Sequence, residues 1–113
     1  MDRQAQINVF SLAAHRLAVI RLRERPERLQ EALAVIRRWR AQAGEPAHCG
    51  PYWDEWEQLL HQGADAVELA VCNPSDHANT LRSVSPLGRF ISTAERNQLL
   101  RDSRQVAPIR EIA

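Results

Sequence analysis

The sequence predicts an all-α fold, a single-domain bundle of five to six short-to-medium helices. Three observations carry this. Apolar residues recur at three- and four-residue spacing along most of the chain. Pro and Gly fall mainly between those stretches. The one apolar run that suits a strand, residues 66–71, has no second strand to pair with, and an unpaired strand is not stable. A chain of 113 residues suits one domain. We assign it to residues 1–107, with a tail at 108–113.

The first helix covers the opening 24 residues. Asp2 is placed to cap it. Ile7, Phe10, Ala14, Leu17 and Arg21 follow helical spacing, and Val9, Leu12, Ala13 and Ile20 widen the apolar face. Arg16, Arg21, Arg23 and Arg25 crowd its end, where the helix dipole favours cations. Pro26 interrupts the run and suits the first turn of a second helix, 26–43. Leu29, Ala32, Leu33, Ile36, Trp39 and Ala43 make its apolar stripe, and Gly44 ends it.

Residues 44–51 hold two Gly and two Pro and read as loop. Pro51 opens a third helix, 52–62, whose apolar positions are Tyr52, Trp53, Trp56, Leu59 and Leu60, with Gly63 as its stop. Asp65 caps a short fourth helix, 66–72. Asn73-Pro74 then breaks the chain. Ser75 caps a fifth helix, 76–84, which carries Ala78 and Leu81 inward. Residues 85–88 form a turn. Ser92 and Glu95 form a capping box that opens a last helix, 93–105, and Pro108 stops it.

Charge is segregated along the chain. Residues 1–44 carry nine Arg and four acids, residues 45–80 seven acids and no Arg, and residues 81–113 six Arg and three acids. All 15 basic residues are Arg, the residue suited to planar bidentate contacts. Two readings stand side by side. Basic helices facing an acidic third helix within one fold account for the pattern without a ligand. Alternatively, the segregation steers a partner of complementary charge.

Several function classes recede. No stretch of 18 apolar residues exists to span a membrane, and the N-terminus lacks the basic start and apolar block of a signal peptide. With only Cys49 and Cys72, a disulfide scaffold is not expected, so the expected location is the cytoplasm. His48, Cys49, Cys72 and His77 are the one set with metal-ligand chemistry, but they lack the close Cys pairs of structural zinc sites. No metal, cofactor or catalytic group is assigned. Helices 1 and 2, with Arg16, Arg21, Arg23, Arg25, Arg28, Arg37, Arg38 and Arg40, offer a basic face for nucleic acid. No helix-turn-helix or RNA-module signature accompanies it, so DNA binding is expected to be weak and salt-sensitive. Trp39 and Trp56 read as core. Tyr52 and Trp53, at a helix start after a loop, read as partly exposed candidates for interface anchors.

Tyr52-Trp53-Asp54-Glu55-Trp56, Leu59-Leu60, Asn73-Pro74-Ser75-Asp76, Leu81-Arg82-Ser83-Val84-Ser85-Pro86 and Glu95-Arg96 form a set of short motifs. Together they resemble small bacterial proteins encoded beside nucleotidyltransferase-like toxins of the AbiEii or MenT kind. The resemblance covers residues 37–104, and departs at Leu87-Gly88-Arg89-Phe90, where the pattern has Phe-Ala-Gly. It implies an antitoxin, a non-enzymatic regulator that binds a co-encoded toxin protein. The implied partner-binding residues are Tyr52, Trp53, Asp54, Glu55, Glu57, Arg82 and Phe90. Arg82 has a second reading, as a donor to carbonyls of the Ser85-Pro86 turn.

Overall fold

The computed structural model describes the backbone of residues 3–44 and 49–112, and side chains within these as far as Arg104. Among the described residues the chain is all-α. Its helices are α1 (Arg3–Glu24), α2 (Arg28–Ala43), α3 (Gly50–Gln62), α4 (Ala64–Val71), α5 (Asp76–Ser83) and α6 (Thr93–Ile112), with a 3-10 turn at Gly88–Phe90 before the last. The proposed caps Asp2 and the metal-set residue His48 lie outside the described residues.

α1 is the element around which the others assemble. It packs against α6, α4, α5, the 3-10 turn and α2, while α2 packs on α3, α3 on α4, and α4 on α5. The buried residues of α1 are Ala14, His15, Ala18, Val19 and Leu22. Of the stripe expected from spacing only Ala14 is buried, while Ile7 and Ile20 stand 47% and 51% exposed. Ala14, Ala18 and Leu22 satisfy helical spacing equally well. With apolar residues all round α1, periodicity alone does not select the face.

α2 buries Ala32, Leu33, Val35 and Ile36, with Leu29 and Trp39 packed at the edge of the core, while Ala43 is exposed. It begins two residues later than Pro26 suggests. Arg28 N and Leu29 N bond to the carbonyls of Arg25 and Pro26, so Pro26 lies in the turn leading into the helix. α3 carries Pro51 in its first turn and buries Trp53, Trp56 and Leu60. Gly63 adopts φ 113°, where a Cβ is strained. It ends α3 by donating to Leu59 O at 3.0 Å and at once precedes α4. Asp65 therefore sits in the first turn of α4, and Gly63 holds the capping position expected for it.

Ser75 caps α5 as expected, accepting from Ala78 N at 3.1 Å. The Ser92–Glu95 box also forms, with reciprocal bonds of 3.0 and 3.1 Å. α6 differs from expectation at its far end. It runs on past residue 105 and through Pro108 to Ile112. A proline inside a helix forfeits one backbone bond but does not oblige the chain to leave the helix.

The core centres on Trp56, which is fully buried among Leu22, Leu33, Ile36, Val67, Val71, Leu81 and Leu87. Its indole Nε1–H donates to Leu81 O at 2.9 Å, which ties α3 to α5 and satisfies a polar group that burial would otherwise leave unpaired.

Candidate functional site

The acidic third of the chain meets the basic first third inside the fold. Arg40 on α2 donates to Glu57 at 2.8 Å and Asp54 at 2.6 Å on α3. Arg23 on α1 donates to Asp65 at 2.6 Å and Glu68 at 2.8 Å on α4. Glu55 pairs with His77 of α5 at 2.8 Å. At the other end, Arg21 forks onto both carboxylate oxygens of Glu95 and reaches Phe90 O. These bonds hold the Glu95 carboxyl down at about 2, chiefly through Arg21 and then through the amide of Ser92. Hydrogen bonds from Arg23 likewise hold Glu68 below the usual carboxylate range. Glu68 and Asp65 in turn push the Arg23 guanidinium above its ordinary range.

Of the seven residues expected to meet a partner, two are interior. Trp53 is 8% exposed, covered by Trp39 at 6.0 Å between ring centroids and by the Arg40 guanidinium at 5.9 Å. It is core, not a surface anchor, because α2 lies over the start of α3. Arg82 is 5% exposed. Its Nη1 donates to Val71 O at 2.6 Å and Asn73 O at 2.7 Å, its Nε to Ser11 Oγ at 3.0 Å, and its Nη2 to Asn79 Oδ1. These acceptors lie at the end of α4 and on α1 and α5, not on the Ser85-Pro86 turn. Carbonyls left free at a helix C-terminus attract a cation. Tyr52 and Phe90 are half-buried against the core, and Asp54, Glu55 and Glu57 are the paired acids just described. The seven residues do not converge on one open surface.

The short motifs are therefore structural in this fold. Trp56 and Leu81 hydrogen-bond, and Asn73 Nδ2 closes the end of α4 by donating to Leu69 O and Ala70 O. Arg82 joins three helices, Pro86 and Leu87 are buried, and Glu95 anchors α6 to α1.

Two features escaped the sequence reading. The first is the outer face of α1 and α4. Leu69 is 82% exposed and, with Ile20, flanks a groove of about 650 Å³ that also involves Arg16, Asp65, Glu68 and Cys72. Leu69 belongs to an apolar run, residues 66–71, and only the packing shows which member faces out.

The second is a pocket of about 190 Å³ between α1, the 3-10 turn and the start of α6. His15 lines it from α1. Its Nδ1 lies 2.8 Å from Ser11 O, and since a carbonyl only accepts, Nδ1 carries the proton. Nε2 is buried with no hydrogen-bond partner. Burial, opposed by the Ser11 carbonyl and aided by the charge of Arg82, lowers the imidazole to about 4, so the ring is neutral at pH 7. A histidine amid helical spacing on an Ala-rich face was the available signal.

Cys49 and Cys72 are free thiols. Burial and Glu68 push Cys72 up, which disfavours the reactive thiolate. Among the described residues no cluster of His, Cys, Asp or Glu is arranged to hold a metal ion. Nor is any of their helices long and apolar enough to cross a membrane. In comparisons with protein-family models, curated proteins and solved structures, nothing matches this chain.

Proposed function

We propose that this chain is a non-enzymatic protein-binding regulator acting in the cytoplasm, an antitoxin that neutralises a co-encoded nucleotidyltransferase-like toxin by direct contact. One observation supports the reading and favours a contact on the α1–α4 face. Leu69 stands 82% exposed on the α1–α4 face beside Ile20. Apolar side chains rimmed by charge, here Arg16, Asp65 and Glu68, are the chemistry of an interface core with a polar rim. The acids of α3 do not supply the attraction first expected of them, because Arg40 and His77 already occupy them. Neutralising Asp54, Glu55 and Glu57 would loosen contacts of α3 with α2 and α5 rather than slow an encounter.

The test is co-expression with the adjacent reading frame. Leu69→Asp combined with Ile20→Ser is expected to keep the wild-type circular dichroism and melting temperature while losing both the complex and the protection of cells. A neighbour that is harmless alone, or a folded double variant that protects as well as wild type, defeats the proposal.

A second reading, nucleic-acid binding, is favoured by α2. Arg37 and Arg38 are exposed and make no ion pair among the described residues, and Arg38 shares a shallow groove with Trp39 and Arg89. Fluorescence anisotropy with a DNA duplex, at low and at physiological salt, separates the two. The second reading expects affinity to collapse between them, whereas an apolar protein contact changes little.

A further inference from the structure

The pocket beneath α1 differs chemically from the α1–α4 face. Its walls are apolar, formed chiefly by Phe10, Ala14, Leu87 and Ile91. Its volume, about 190 Å³, exceeds that of an engineered cavity of roughly 150 Å³ that admits benzene. Two guanidiniums border it, Arg82 from α5 and Arg96 from α6, the latter 5.0 Å over the Phe10 ring. No Asp or Glu lines it. Arg21, Arg23, Arg40 and Arg89 reach carboxylates on other elements. Arg82 and Arg96 make no ion pair among the described residues.

The hydroxyls of this pocket are donors as well. Ser11 Oγ accepts from Arg82 Nε, and Ser85 Oγ accepts from Leu87 N at 3.1 Å. Each hydroxyl has one proton to give, and neither donates it within the described residues. Arg82 itself commits four of its five N–H groups. Apart from His15, whose unprotonated Nε2 is a buried acceptor, the polar lining is thus rich in donors and in positive charge, and the rest is apolar. A small molecule with an apolar body and an anionic, acceptor-rich head matches both halves.

We propose that this pocket binds a small free monocarboxylic acid, its apolar body between Phe10, Ala14, Leu87 and Ile91 and its carboxylate toward Arg96 and the Ser11 and Ser85 hydroxyls. The ligand class follows from donors without a matching acid and from a wall too apolar for a phosphate or an inorganic anion alone. Arg96 is the entrance group, exposed on α6 with its guanidinium already seated on Phe10. Arg82 is a positioning residue, holding Ser11 through Nε while its other donors bind the end of α4 and Asn79. The site stands independently of the protein-binding reading.

Isothermal titration calorimetry of the full chain with benzoate and with hexanoate tests it, with benzamide and hexanamide as uncharged counterparts. Saturable one-to-one binding of at least one acid is expected, with the matching amide at least tenfold weaker. Arg96→Gln, at an exposed position, is expected to weaken the acid at least tenfold while the free variant keeps the wild-type circular dichroism. Ala14→Leu fills the cavity and is expected to abolish binding of both acid and amide. Should Ala14→Leu misfold, Ile91→Phe narrows the same wall from the other side. Absence of saturation by either acid at millimolar concentration overturns the proposal, as does equal affinity for acid and amide. Binding that persists unchanged in both Arg96→Gln and a folded cavity-filling variant overturns the location.

Discussion

Replacing Arg82 by alanine separates a structural arginine from a surface contact. The guanidinium is 5% exposed and serves Val71 O and Asn73 O, at the end of α4, together with Ser11 on α1 and Asn79 on α5. Truncation leaves the buried Val71 carbonyl without its donor and removes a side chain that joins three helices. Hydrogen bonds to a charged group contribute about 1.5–3 kcal/mol, and a buried acceptor left unpaired costs about 1–3 kcal/mol. The solvent that replaces the side chain recovers part of this, so we expect a loss of about 3–4 kcal/mol. That is a large share of the roughly 5–15 kcal/mol that holds a domain folded. At about 4 °C or more per kcal/mol, the melting temperature should fall by more than about 12 °C. Urea unfolding followed by circular dichroism measures it. Arg82→Lys keeps the charge but not the fork, and should recover less than half, since one ammonium cannot serve acceptors on three elements. Arg38→Ala, an exposed control, should stay within about 0.5 kcal/mol of wild type. If Arg82→Ala melts within about 3 °C of wild type, the assignment of Arg82 as the junction of α1, α4 and α5 is wrong.

Acidification should weaken the fold through His15. Burial depresses this imidazole from 6.5 to about 4, so between those values the unfolded chain binds a proton that the folded chain refuses. Stability is full above about pH 6.5 and declines as pH falls toward 4, by about 3 kcal/mol from this group. Denaturant midpoints measured at steps across that window should show a slope that His15→Gln flattens. Trp56→Phe retains most of the ring but loses the bond to Leu81 O, and should cost about 1–3 kcal/mol by chemical denaturation. Leu33→Asp and Ile36→Asp should each unfold the domain in thermal melts, because both side chains are at most 1% exposed and an unpaired buried carboxylate is not tolerated. Leu69→Asp, equally drastic as chemistry, should leave the melt nearly unchanged.

The helices were legible in the sequence wherever one strong local signal sufficed. α2 and α3 have single apolar stripes bounded by Gly and Pro, and their buried residues, Val35 apart, belong to those stripes, though Ala43 is exposed. The Ser75 cap and the Ser92–Glu95 box are bonds within four residues, so local identity decides them. The charge segregation was legible as a pattern, and so was the possibility that it closes on itself. Which arginine meets which acid was not. Arg40 with Asp54 and Glu57, and Arg23 with Asp65 and Glu68, are pairings across helices, set by how those helices cross. Tertiary packing also decided the fate of the residues expected at a partner. Trp53 stands near the start of a helix, a place that reads as exposed until α2 is laid over it. Arg82 reads as a contact residue until the end of α4 is brought beneath it. The same limit hid His15. α1 carries apolar residues on every side, so its sequence specifies a helix without specifying its inward face. Only the neighbours gathered around it turn His15 and Ala18 inward and leave Ile20 facing outward. Local hydrogen-bond geometry is written in adjacent residues, whereas burial is a property of the elements that cover a residue.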